Sequence, residues 1–181
     1  MAKLIAKTYG SALFELAVEQ GKTNELMREF TAISDVLKFH PDYNSLLNHP
    51  KILKEAKIEM LENVFKERVS NEMTGFLELL IIKDRFNDIK AIYEQFMMMV
   101  KDYLSIGVAF VTTAFPMNEI QKSEIVERLL AVTEFKEMEM NYAVDEKIIG
   151  GMIIRIGDRI VDSSIATNLA NLRKQLISIQ I

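Results

Sequence analysis

The sequence predicts a mainly helical α+β protein, with an N-terminal antiparallel bundle of six helices over residues 1–104 and a smaller α+β domain over 105–181. Apolar residues recur every three or four positions from residue 3 to about 104, which is the spacing of amphipathic helices. The period changes after Gly107, where a β-branched run indicates a buried strand. Two short apolar runs near the C-terminus are then separated by Gly157-Asp158, which favours a hairpin.

The six helices follow from this spacing and from the breaks between them. Gly21 ends the first helix, and Pro41 and Pro50 bracket a short third one, because a residue before proline is pushed out of the helical region. The fifth spans about 71–83 and is apolar nearly all round at 76–82, so it must be covered on most sides. The apolar positions of the other long helices are Ile5, Tyr9, Leu13 and Leu16; Leu26, Phe30, Ile33 and Leu37; Ile52, Ile58, Leu61 and Phe65; and Ile89, Ile92, Phe96 and Val100.

The second domain is predicted to alternate strands and helices. A buried strand over 108–115 ends at Pro116, and a helix over 117–132 follows. Met138, Met140 and Tyr142 alternate with polar residues, which indicates a half-exposed strand. The hairpin runs over 152–156 and 159–161, and a C-terminal helix completes the domain.

The link between hairpin and last helix has its own chemistry. Gly150 and Gly151 suit a turn or a close backbone approach, and Gly157-Asp158 suits a tight turn. Asp162, Ser163 and Ser164 are all favourable helix N-caps. We expect these residues to be structural, because the glycines lack the Gly-Lys-Ser/Thr ending of a phosphate loop.

The last helix has a narrow apolar stripe. Its members, at intervals of four, three and four, are Ile165, Leu169, Leu172 and Leu176. A helix that faces its own core usually has a wider apolar face, whereas a two-residue seam is typical of helix–helix pairing. The spacing fits packing on the protein's own sheet and packing against a partner helix about equally well.

Composition excludes several function classes. There is no cysteine, and the two histidines, His40 and His49, are not spaced to share a metal on one helix face. A net charge of −4 leaves no basic footprint for nucleic acid. No apolar run approaches the roughly 20 residues that cross a bilayer, so membrane association is expected only through partners. Neither a cofactor nor a metal site is predicted.

Two further clusters have alternative interpretations. Glu134, Glu137 and Glu139 could bind a cation, but the strand alternation favours a solvated face. The run 97–99 consists of three methionines, which suits either core packing or an adaptable surface for helices.

Several motifs together resemble one known family. The pattern Ile149-Gly150-Gly151, then Arg155-Ile156-Gly157-Asp158, then Asp162-x-Ser164 resembles the C-terminal part of the F-type ATP synthase δ subunit, whose mitochondrial relative is the oligomycin-sensitivity conferral protein. Ala6-x-x-Tyr9-x-x-Ala12-Leu13, Phe76-Leu77-x-Leu79-Leu80 and Ala114-Phe115-Pro116-Met117 are similar to further family motifs, so the resemblance covers the whole chain. Ser163 departs from the family, which usually has glycine there.

The resemblance implies a non-catalytic connector in the peripheral stalk, which stops the catalytic head from turning with the rotor so that proton flow drives ATP synthesis. The N-terminal bundle would bind the N-terminal helix of an α subunit between the first and fifth helices, through Ala6, Tyr9, Leu13, Phe76, Leu77 and Leu80. The C-terminal domain would hold the b subunits, through Ile165, Leu169, Leu172 and Leu176. An N-terminus without a transit-like segment favours a peripheral protein at the cytoplasmic face of a bacterial membrane. The alternative is a small helical enzyme or ligand-binding protein with an internal apolar pocket.

Overall fold

The computed structural model describes residues 2–66 and 68–179. Over these residues the chain is mainly helical with a four-stranded sheet, which confirms the predicted α+β class. It divides into two compact units, Met1–Val100 and Lys101–Ile181. The helices that begin in the first unit are α1 (Ala2–Glu19), α2 (Thr23–Phe39), α3 (Pro41–Leu47), α4 (Lys54–Phe65), α5 (Asn71–Ile82) and α6 (Ile89–Leu104), with a 3-10 helix at Phe86–Asp88.

The first unit has a closed apolar core centred on Phe30. Its ring lies 6.0 Å from Phe76, 5.2 Å from Tyr93 and 5.7 Å from Phe96, measured between ring centroids. Helix α2, which carries Phe30, packs against α1, α3 and α5. Such aromatic contacts add to the free energy of burial, so α2 is the central element of this unit.

Polar contacts from α2 set the position of α5. The Glu29 carboxylate accepts hydrogen bonds from the backbone N–H of Ser70 at 2.8 Å and from its hydroxyl at 2.7 Å. Ser70 is the N-cap of α5, and its Oγ accepts from the backbone N–H of Met73. Lys22, just before α2, forms a 2.7 Å ion pair with Glu72, and this hydrogen bond raises the pKa of Lys22 and lowers that of Glu72. The start of α5 is therefore tied to α2 at two points.

The second unit is built on the sheet. Its elements are β1 (Ile106–Thr113), α7 (Glu119–Val132), β2 (Glu137–Val144), a 3-10 helix at Glu146–Ile148, β3 (Met152–Ile156), β4 (Arg159–Asp162) and α8 (Ile165–Ile179). The strand order is β2-β1-β3-β4, with β1 and β2 parallel and the other two pairs antiparallel. Because parallel strands need a crossover, α7 connects β1 to β2.

One face of this sheet packs against α7. The small core consists of Ala109 and Val111 from β1 with Ile125 and Leu129 from α7. Around it pack Met117, Met138, Met140, Met152, Ile154 and Ile156, all only partly buried. The alternation predicted for Met138 and Met140 therefore places both side chains on the covered face.

Some element ends differ from the prediction. The strand predicted over 108–115 starts at Ile106 and ends at Thr113, where its pairing with β2 also ends. There the Thr113 hydroxyl donates to the Phe115 carbonyl at 2.8 Å, which turns the chain out of the sheet. Helix α7 starts at Glu119, after a capping box between Asn118 and Gln121 that the sequence interpretation missed.

Candidate functional site

The apolar stripe of α8 is exposed. The exposed fractions are 44% for Ile165, 53% for Leu169, 55% for Leu172 and 67% for Leu176. Within the described residues, α8 packs chiefly against the short helix Glu146–Ile148 rather than across the sheet. Of the two interpretations left open by the sequence, the protein's own sheet therefore does not cover the stripe, which remains accessible to another chain.

The first turn of α8 is held by a compact set of hydrogen bonds. Asp162 Oδ1 accepts from the backbone N–H of Ser164 at 2.8 Å, and Asp162 Oδ2 accepts from the Thr167 hydroxyl at 2.8 Å. Ser164 Oγ accepts from the backbone N–H of Thr167 at 3.3 Å. Hydrogen bonds from Ser164, and then from Thr167, hold the pKa of the Asp162 carboxyl below its usual value. These groups fix the direction in which α8 leaves the sheet.

The residue between Asp162 and Ser164 bonds back to β3. Both the backbone N–H and the hydroxyl of Ser163 donate to the Met152 carbonyl, at 3.0 and 2.8 Å. The departure from the family's glycine is thus accommodated by a side-chain hydrogen bond.

The glycines on either side of β3 serve close approach and turning. Gly151 has φ of +77°, and a Cβ there would collide with the Ser163 carbonyl oxygen. A Cβ on Gly150 would lie 2.7 Å from Ile165 Cδ1, so this glycine gives room to the first residue of the stripe. Gly157 has φ of +55° and forms the β3–β4 turn with Asp158.

The residues suggested for α-subunit binding lie mostly in the core of the first unit. Leu13, Leu77 and Leu80 are at most 1% exposed, Ala6 and Phe76 are also buried, and Tyr9 is half-buried. Their contact with a partner stays a prediction, and their observed role is to form the packed interior beneath α1 and α5.

The exposed face of α5 was missed by the sequence interpretation. Leu79 is 40% exposed, Ile82 is 49% exposed, and a Cβ on the exposed Gly75 would meet no neighbouring atom within 4 Å. These three residues follow the spacing i, i+4, i+7, so they form one surface stripe. The stripe was hidden in the sequence because α5 is apolar on nearly every side. The 3-10 helix Phe86–Asp88 contacts both α1 and α5.

A cleft of about 690 Å³ lies among α2, α3 and the end of α4. Its lining is largely apolar, and its carboxylate Glu29 is already engaged by Ser70. Burial raises the pKa of Tyr43 in this cleft to about 12, and its hydroxyl donates to the Met60 carbonyl. Glu29 and Tyr43, two of the polar residues of the cleft, thus serve structural bonds.

Several members of the other predicted clusters have ordinary structural partners. His40 precedes Pro41 at the edge of the cleft, and His49 Nδ1 accepts from the backbone N–H of Lys51. Glu139 forms a 2.7 Å ion pair with Lys101. Among the methionines, Met97 and Met99 accept weak hydrogen bonds from Thr31 and Ser11, whereas Met98 is 53% exposed. Among the described residues, no group of three or more acidic or histidine side chains is placed to bind a metal.

The fold is that of an α+β protein whose helices α5 and α8 each expose an apolar stripe. The family model for the ATP synthase delta (OSCP) subunit matches residues 5–176. The chain belongs to this family.

Curated relatives agree over the full length. The chain is 46% identical over 181 residues to the ATP synthase subunit delta of Lachnoclostridium phytofermentans, covering 100% of each chain. It is 35% identical over 173 residues to the subunit delta of Lactobacillus johnsonii, covering 96% of this chain and 94% of the other. The chain is therefore a non-catalytic, structural subunit of the F1Fo ATP synthase, and the alternative of a small enzyme or ligand-binding protein is not supported.

A solved structure supports the fold. The chain is similar to a chain of the Toxoplasma gondii mitochondrial ATP synthase hexamer, with a TM-score of 0.75 and 16% identity, covering 95% of this chain and 97% of that one. At this identity the likeness concerns the fold alone. In the described part of the chain, none of the helices is long and apolar enough to cross a membrane.

Proposed function

We propose that this subunit ties two partners together at the cytoplasmic face of a bacterial membrane. In this proposal the first unit, an antiparallel bundle of six helices, binds the N-terminal helix of an ATP synthase α subunit. The second unit holds the b subunits of the peripheral stalk through α8. Its task is mechanical, because a tie between head and stalk resists the torque of the rotor.

The observation that carries this proposal is the uncovered stripe of α8. Four aliphatic side chains at intervals of four, three and four, each 44–67% exposed, are costly to leave in water. Covering the exposed part of each would contribute on the order of 1 kcal/mol. Such a seam suits a partner helix that packs nearly parallel to α8 and interdigitates with it.

The first unit offers a second surface of the same kind. Gly75, Leu79 and Ile82 are exposed on α5, while Leu77 and Leu80 on the opposite side anchor that helix in the core. An exposed glycine lets another helix approach the backbone closely, and the flanking aliphatic residues supply contact area. In this proposal Leu79 and Ile82 contact the partner helix. The buried residues that the family resemblance suggested, such as Leu77 and Leu80, then hold α5 in position from beneath.

A reciprocal pair of variants tests both halves. The full-length chain would be titrated calorimetrically with a peptide of about 20 residues from the N-terminus of the cognate α subunit, a length suited to helix-in-groove binding. The cytoplasmic segment of the cognate b subunit would be titrated separately. Leu79→Asp should abolish binding of the α peptide, because it places a charge on the exposed stripe of α5. It should leave binding of the b segment unchanged, because α8 is not altered.

Leu172→Asp should do the reverse, so each variant is the control for the other. Both side chains are exposed, and circular dichroism should therefore show an intact fold in both variants. If Leu79→Asp still binds the α peptide, the α-subunit site does not lie on the exposed stripe of α5. If Leu172→Asp still binds the b segment, the b-subunit site does not lie on the α8 stripe.

A further inference from the structure

The turn before β3 contains a strained residue that the sequence does not require to be strained. Ile149 has φ of +66° and ψ of −40°, and the backbone N–H of Gly150 donates to the Ile148 carbonyl at 2.8 Å. This is the geometry of a rare γ-turn that β-branched residues avoid. A glycine at position 149 would remove the strain, because glycine adopts a positive φ without steric cost.

The side chain in this strained turn is also exposed. Ile149 is 56% exposed, and it directly precedes Gly150, which contacts the first residue of the α8 stripe. The Gly150 carbonyl accepts a hydrogen bond from the backbone N–H of Ile165 at 3.0 Å, and a Cβ added to Gly150 would lie 2.7 Å from Ile165 Cδ1. In the isolated chain, neither the strained backbone nor the exposed side chain of Ile149 contributes to folding stability. Strain of this kind is typical of positions retained for binding.

The charged side chains of helix α8 are all positive. Between Ile165 and Ile179 it contains Arg173 and Lys174 and no acidic residue, although the whole chain has a net charge of −4. Arg173 follows Leu172 directly, so it flanks the apolar seam at a position that in coiled coils pairs with a charge on the partner. The complementary partner has carboxylates beside its own apolar stripe.

We propose that the α8 stripe binds an amphipathic helix whose apolar seam is flanked by acidic side chains, and that Ile149 is an anchor of the same surface. This inference rests on the proposed function, since it describes the chemistry of the stalk partner that α8 holds. It adds that the contact extends beyond α8 onto the strained turn, and that Arg173 selects the partner by charge.

The anchor role of Ile149 is tested by two substitutions with opposite effects on stability. Binding of the full chain to the b-subunit cytoplasmic segment and the midpoint of thermal unfolding would be measured for each. Ile149→Gly should raise the midpoint, because the strain is relieved, and should weaken binding about ten-fold, because the anchor is lost. Ile149→Ala should weaken binding similarly without raising the midpoint.

A merely structural residue would move stability and binding in the same direction. Binding of Ile149→Gly at the wild-type affinity would overturn the anchor role. A midpoint that Ile149→Gly leaves unchanged or lowers would overturn the strain on which it rests.

The charge preference is tested by reversal with a matched control. The variant Arg173→Glu should bind the b segment severalfold more weakly at low salt, and the difference should shrink as salt is added. The variant Lys174→Glu changes the net charge equally on the face of α8 opposite the seam and should bind like the wild type. Equal affinities of the two variants would overturn the charge preference.

Failure of the underlying function is visible separately. A wild-type chain that does not bind the b segment at all would overturn the stalk role of α8 and this inference with it. Binding that is abolished by Leu172→Asp but insensitive to substitution of Ile149 and Arg173 would uphold that role and overturn only this inference.

Discussion

The two units bury their apolar residues to very different degrees. The largest fully buried side chains of the described residues, from Phe30 and Phe96 to Leu80 and Val100, all belong to the first unit. The second unit buries smaller side chains such as Ala109 and Val111, and leaves the α8 stripe of Ile165, Leu169, Leu172 and Leu176 exposed.

This difference separates two ways of stabilising a binding surface. In the first unit the partner would meet a helix that is already fixed by a closed core, since α5 is anchored by Leu77 and Leu80. In the second unit α8 is fixed mainly at its first turn, and isolated helices of about 15 residues are marginally stable in water. We therefore expect the first surface to be preformed and the second to be completed by its partner.

The largest effect should come from charging the core of the first unit. Leu80→Asp places a carboxylate at a position with 0% exposure, and without a partner it should cost more than about 4 kcal/mol and unfold this unit. The far-UV circular dichroism signal and the dispersion of amide NMR resonances measure the loss.

Leu79→Asp, one residue earlier and exposed, is the control and should stay folded. A folded Leu80→Asp variant would show that this core tolerates charge, and the contrast between the units would then be wrong.

A backbone substitution should have the next largest effect, and in the second unit. Gly151→Ala forces a Cβ into the Ser163 carbonyl at φ of +77° and should destabilise this unit by about 2 kcal/mol or more. Amide hydrogen exchange of β3 and β4 reports the change locally.

Gly157→Ala is the matched control, because its φ is also positive but no atom lies within 4 Å of the added Cβ. It should cost only about 1 kcal/mol. Equal costs at the two glycines would contradict the close approach at Gly151.

Truncating the α8 stripe should barely change stability. Leu172→Ala removes a side chain that is 55% exposed, so the free energy of unfolding of the isolated chain should change by less than about 0.5 kcal/mol. Urea titration measures this value. A loss comparable to that of a buried leucine, about 2–5 kcal/mol, would mean that the stripe packs within the chain after all.

The smallest effect should be a pH dependence at the start of α8. The pKa of Asp162 is lowered by Ser164 and Thr167, so its ionised form stabilises the folded state. This stabilisation is present above the usual pKa of 3.8 and is lost as the pH falls through the lowered value in the folded state. Amide shifts of Ser164 and Thr167, followed from pH 6 downward, should show this titration.

Asp162→Asn should abolish that titration, and Asp162→Ala should leave binding of the α peptide intact. An unchanged titration in Asp162→Asn would assign it to another carboxylate.

Local patterns were enough to place most elements. The helix predicted over 71–83 is α5, and the predicted hairpin is β3 and β4, because apolar period and turn glycines act within a few residues. The errors fall at element ends, where capping decides. Asn118 and Gln121 cap each other and move the start of α7 to Glu119.

The exposed faces were harder to predict. In α5, the sequence distinguishes Leu79 poorly from Leu80, since both are leucines in one apolar run. Only the packing of α5 within the unit buries one and exposes the other. The positive φ of Ile149 could not be predicted from the sequence either, because β-branched residues rarely adopt it.

The amino-acid sequence alone determined the helices, the hairpin, the four-three-four stripe and the family motifs, because each depends on neighbours along the chain. The tertiary structure decided which apolar residues remain for a partner. Burial depends on which helices and strands pack together, and that contact is made between residues far apart in the sequence.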